Sequence, residues 1–153
     1  MNAKPALVRP RFASDLDPQV ALWIARLSTG FSAAIAQLNE SMYSEELRQI
    51  IGIAPQEGTC SKTALRPLLK IRADELEQQL PRRKTVLMRN IEMLAALLEL
   101  DELQSEILSF AALSRQHPYL YELIESIRTT SIDAITRLLS IALKARDTDV
   151  RRA

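Results

Sequence analysis

Cys60 and His117 are the only cysteine and the only histidine in this 153-residue sequence, and they are its one candidate for nucleophilic chemistry. A working Cys/His pair needs the imidazole in hydrogen-bond reach of the thiol and a third group to orient it. The two residues lie far apart in the chain, and His117 stands before Pro118, where a helix-entry role accounts for it. One His and one Cys do not make a zinc site, which takes three or four such ligands. The carboxylates cluster as Glu45-Glu46, Asp74-Glu75-Glu77 and Glu99-Asp101-Glu102, places that suit helix starts and solvated faces. No Glu-x-x-His pair of the di-iron kind occurs. The segment Gly52–Thr63, GIAPQEGTCSKT, approaches a phosphate-binding loop. However, its glycines are one residue too far apart and Lys62 does not follow the second glycine, as that motif requires. The sequence therefore assigns no catalytic residue, no cofactor-binding residue and no metal ligand, and the expectation is a non-enzyme without cofactor.

Two other kinds of side chain could make contacts. Arg82, Arg83 and Lys84, with Lys70, Arg72 and Arg89 nearby, form a basic cluster able to meet an acidic partner or phosphates. Asp74, Glu75, Glu77 and Glu92 flank it, so a mixed, solvated surface is the preferred reading. Trp23, Phe31, Tyr43, Tyr119 and Tyr121 are the aromatics able to anchor a protein contact. Trp23 and Phe31 are expected in the core. Tyr119 and Tyr121 flank Leu120 on a short helix, so at least one should face solvent.

The elements that must carry these residues are helices. Only three glycines occur, and Leu, Ala, Glu and Arg, all strong helix formers, are abundant. Net charge is +1, so no global field draws the chain to nucleic acid or an acidic membrane. A lone cysteine suits a reducing cytosol. The N-terminus has no apolar signal-peptide core, and no apolar run reaches the ~20 residues of a membrane span. A soluble cytoplasmic domain is expected, with no membrane contact.

Residues 1–16 are predicted as a flexible arm, and residues 17–143 as the bundle. Asp17 reads as the N-cap of a helix with Pro18 at its first position and Val20, Trp23, Ile24 and Leu27 on one face. A short helix with Ile35 and Leu38 follows, then one capped by Ser44 and closed by Gly52. Ile53–Ser61, with Pro55 and Gly58, reads as a loop. Leu65, Leu69, Leu76 and Leu80 mark a long helix in which Pro67 must sit in the first turn or make a kink. The next helix should turn Ile91, Leu94, Leu97 and Leu98 inward. Asp101 and Gln104 form a capping box for a helix burying Ile107, Leu108, Phe110, Ala111 and Leu113. His117-Pro118 opens another, and Ser131 caps the last long one, with Ile132, Ile135, Leu138, Leu139 and Ala142 inside. The fold expected is an all-α, irregular bundle of about eight helices. Residues 144–153 read as the start of a truncated following helix, an incomplete helix-turn-helix or winged-helix segment that cannot bury Val150 without further chain.

RNIEMLAALLELDELQSEILSFAAL from Arg89, SIDAITRLLSIALKA and the closing DTDVRRA resemble the helical region ahead of the ATPase module in a group of bacterial AAA-type ATPases. Asn90, Leu94, Ala95, Leu97, Leu98, Leu100, Ile107, Leu108 and Phe110 carry the resemblance, which spans about the C-terminal two-fifths of the chain. It implies a non-catalytic N-terminal regulatory domain that recruits substrates or adaptors, or couples to the motor. Its partner would be another protein or the ATPase module of the same polypeptide, with oligomers allowed. Tyr119, Tyr121, Arg82, Arg83 and Lys84 are the candidate partner-binding residues. The alternatives are a DNA-binding regulator using the C-terminal helix-turn-helix, which near-neutral charge disfavours, and a free-standing helical adaptor.

Overall fold

The computed structural model describes residues 4–54, 59–82 and 84–153. Pro55 and Gly58 of the predicted loop, and Arg83 of the basic cluster, lie outside the described residues. The described chain is all-α: α1 (Asp17–Gly30), α2 (Ser32–Glu40), α3 (Ser44–Ile51), α4 (Lys62–Gln79), α5 (Val86–Leu97), α6 (Glu102–Gln116), α7 (Pro118–Ile127), α8 (Ile132–Leu143) and α9 (Asp147–Val150). None of these helices is long and apolar enough to cross a membrane.

Helix α1 is the centre of the bundle. Its run VALWIA is apolar all round, the mark of a helix enclosed on every side, and Val20 through Ala25, Leu27 and Ser28 are buried. Helix α4 makes the most extensive contact with it, and α2, α3 and α8 surround the rest. Trp23 is core, with its ring 5.0 Å from Phe110 of α6 in an edge-to-face arrangement. Phe31 is only half-buried, under the guanidinium of Arg137.

Four helix starts follow side-chain chemistry, at Ser61, Thr85, Asp101 and Ser131. Ser131 caps α8 through the Ala134 amide, and Asp101 and Gln104 close both bonds of the capping box on α6. Gly52 takes the left-handed conformation after α3, at φ 70°. Two expected caps differ. Asp17 lies inside α1, its N-cap position being Leu16, and its carboxylate turns back to the preceding loop. Ser44 is the first residue of α3, and Tyr43 holds the cap position without a side-chain bond. Pro67 falls in the second turn of α4, one turn later than a proline fits without loss, and its missing N–H leaves the exposed Thr63 carbonyl without its helical donor.

The described part of the arm is tied down. Leu7 and Ile53 form an antiparallel bridge, the Val8 amide donates to Gly52, and the Arg11 amide to Gln49. Arg72, a buried residue of α4, donates to the carbonyls of Val8 and Gly52 and pairs with Glu75. Backbone groups that would otherwise need water thus find partners along the end of α3.

The inward faces of three helices differ from expectation. Helix α5 buries Ile91 and Ala95 and leaves Leu94, Leu97 and Leu98 in solvent. On α6, Phe110 and Leu113 are buried, but Ala111 is exposed. On α8, Leu138 and Ala142 face the core while Ile132 and Ile135 stay outside. The chain turns after α8 through Lys144, in the left-handed region at φ 56°, so the turn position that favours glycine is filled by lysine. Helix α9 then folds back on α8, where Arg151 pairs with Asp133. Val150 is 8% exposed, so contrary to expectation the residues present suffice to bury it.

Candidate interaction surface

Helix α5 carries two apolar faces, and only one is used. At 100° per residue, Val86, Met93 and Leu97 fall within about 40° of arc. On the same count Asn90 lies about 20° beyond Leu97 and Leu94 about 40° further round, while buried Ile91 and Ala95 lie roughly 140–180° from the centre of the stripe. Met93 is 66%, Leu97 80% and Leu98 58% exposed. Its principal helix contact is α6. Thr85 caps its start through the Met88 amide. At the other end Glu99, left-handed at φ 53°, lets the Leu100 amide reach back to the Ala95 carbonyl, after which the capping box starts α6. The face is therefore presented on regular backbone held at both ends.

Charge frames the stripe unevenly. Arg82 and Arg89 stand exposed at its start, beside the Lys84–Glu92 ion pair, and Glu99 and Glu102 stand exposed at its end. A groove of about 370 Å³ opens at the basic end, lined by Asp15, Pro81, Lys84, Thr85, Val86 and Arg89. A second, smaller apolar area lies where Ile132, Ile135, Leu139 and Val150 line a groove of about 320 Å³ between α8 and α9. Three basic residues near it are engaged, Lys144 with Glu77, Arg146 with Asp149 and Arg151 with Asp133, while Arg152 is exposed and has no ion pair among the described residues.

The predicted contact residues divide between two regions. Arg82 and Lys84 border the α5 groove region, whereas Tyr119 and Tyr121 ride on α7, which packs against α6, α2 and α1. Tyr121 is exposed. Tyr119 is half-buried, its ring 5.6 Å from Tyr43 and 5.5 Å from His117.

Cys60 and His117 belong to different environments. The Cys60 backbone is held by the Asn39 side chain, which accepts from its amide and donates to its carbonyl. His117 Nε2 lies 3.3 Å from Asp17 Oδ1, and its buried Nδ1 has no hydrogen-bond partner among the described residues. Asp17 is 4% exposed and also accepts from the Ala13 amide at 2.6 Å, the Ser14 amide and the Ser14 hydroxyl. Burial pushes this carboxyl up, but the bonds from Ser14, Ala13 and His117 together outweigh it and hold its pKa below the ordinary value. The cluster clasps the loop, α1 and α7 together.

A second polar knot joins α1, α4 and α8. Arg26 donates to the Ala142 carbonyl and pairs with Glu77, which Lys144 also meets at 2.9 Å. The Lys144 bond, reinforced by Arg26, holds Glu77 below its ordinary pKa against a partial burial cost. Nearby Glu106 is raised by burial and by Glu102, with Arg26 opposing. Among the described residues no group of three or more His, Cys, Asp or Glu is gathered as a metal site would need.

Sequence reasoning missed Arg72, buried Asp17 and the outward face of α5. The signal for the last was present: Val86, Met93 and Leu97 repeat at helical spacing on the side opposite Ile91 and Ala95. The chain matches no protein-family model, no curated protein and no solved structure.

Proposed function

We propose that this chain is a non-catalytic, helical protein-interaction domain that contacts its partner through the exposed stripe of α5. The observation that supports it is the exposure of Val86, Met93, Leu94 and Leu97 on one helix held at both ends, with Leu98 exposed at its C-cap. Leaving several large apolar side chains in water forgoes roughly 1.5–3 kcal/mol each. Burial against a partner recovers that, with the charged ends setting orientation. Leu94, Leu97 and Leu98 also belong to the pattern that resembles the region ahead of the motor in AAA-type ATPases. Because they lie at the surface, internal packing does not explain them. In that setting the domain acts as a regulatory, cytoplasmic unit that recruits a substrate or adaptor, or docks on the motor.

The DNA-binding alternative has less support. Helix α9 is four residues long, and Lys144, Arg146 and Arg151 are each paired with a carboxylate. Affinity capture tests the interaction reading, with wild type and Met93→Glu/Leu97→Glu immobilised side by side. Proteins retained by wild type and lost by the variant are expected. Equal retention on both counts against it.

A further inference from the structure

The two ends of the α5 stripe are complementary to each other, and this identifies an occupant. Among the described residues Arg82 and Arg89 at the start have no ion pair, and neither do Glu99 and Glu102 at the end. A surface with cationic and anionic ends flanking an apolar middle is matched by itself when turned end for end. We infer that the α5 face binds a second copy of this chain in an antiparallel, two-fold arrangement, an inference that rests on the interaction reading above. A two-fold interface uses the same patch on both subunits, so self-complementarity is its requirement.

The register follows from the spacing. Arg89 and Glu99 lie ten positions apart in the chain with Leu94 midway, Arg89 on α5 and Glu99 in the left-handed turn just past its end. A two-fold axis level with Leu94 brings the Arg89 end of each copy to the Glu99 end of the other. The same operation sets Leu97 and Leu98 level with the turn that holds Asn90 and Ile91, and Val86 level with Glu102 of the other copy. Asn90 is the one polar residue in the stripe, and a single polar position within an apolar seam fixes register at some cost in affinity.

Sedimentation equilibrium of the full chain across a broad concentration range tests this through a charge swap on exposed residues. Wild type is expected to dimerise. Arg89→Glu and Glu99→Arg each turn two attractions into two repulsions, and each should weaken self-association by roughly tenfold. The double variant restores both opposite-charge contacts and should return close to wild type. An equimolar mixture of the two single variants restores them too, and should form a heterodimer. Wild type that stays monomeric at ~300 µM, far above typical affinities of specific dimers, overturns the proposal. So does a double variant that remains as weak as the single ones. A monomeric chain that still captures a Met93- and Leu97-dependent partner leaves the interaction reading standing while the second copy is ruled out.

Discussion

Replacing Asp17 with alanine should be among the most damaging single changes to this fold. The carboxylate is 4% exposed and accepts four hydrogen bonds, from the Ala13 and Ser14 amides, the Ser14 hydroxyl and His117 Nε2. Charge-assisted bonds of this kind contribute about 1.5–3 kcal/mol each, though not additively. Alanine leaves every donor unmatched, and His117 already has one buried nitrogen with no hydrogen-bond partner among the described residues. A loss of about 3–5 kcal/mol is expected, in line with removing one member of a buried polar pair. Urea unfolding followed by circular dichroism at neutral pH reads it as a lower midpoint at unchanged slope. The pH dependence adds a second check through Asp17→Asn, which cannot ionise. Because the folded pKa of Asp17 is lowered, its charge stabilises the fold above the ordinary carboxylate value of 3.8. That stabilisation is lost as pH falls through the lower folded value. The gap between wild type and Asp17→Asn should therefore hold from neutral pH down to about 4 and narrow below it. An alanine variant within ~0.5 kcal/mol of wild type, the range of ordinary surface changes, would refute the reasoning. A gap that widens in acid would refute it equally.

Gly52→Ala should destabilise by about 2 kcal/mol or more, since the left-handed backbone at φ 70° disfavours a side chain and the new Cβ would strike the Val8 carbonyl and the Pro10 nitrogen. Differential scanning calorimetry checks this, and the same variant should expose the arm to limited proteolysis before Arg11. Two leucines on adjacent helices should behave oppositely in chemical denaturation. Leu113→Ala, fully buried, should cost about 2–5 kcal/mol, and Leu97→Ala, 80% exposed, less than ~0.5.

What could be read from the chain depended on whether one residue type had one physical consequence. Pro118, Ser131 and the Asp101/Gln104 pair marked helix starts because capping is local chemistry, complete within four residues. The central burial of α1 was legible in VALWIA. Helix α5 was not, because both of its faces are apolar and periodicity reports that a stripe exists without saying which one finds a neighbour. Ile91 and Ala95 won the inward position. Asp17 stood where an N-cap was expected, but its donors lie at Ala13 and Ser14 and, across the fold, at His117. Arg72 likewise reads as one more charge of a basic cluster until Val8 and Gly52 bring their carbonyls to it. Long-range partners decided these cases.

The exposed face of α5 as the working surface of this domain is tested most directly by Met93→Glu/Leu97→Glu, measured for stability and for binding on one preparation. The expected result is an unfolding midpoint equal to wild type together with loss of both partner capture and self-association. A large drop in stability would show that these side chains are core, and binding that survives the two charges would show that the contact lies elsewhere.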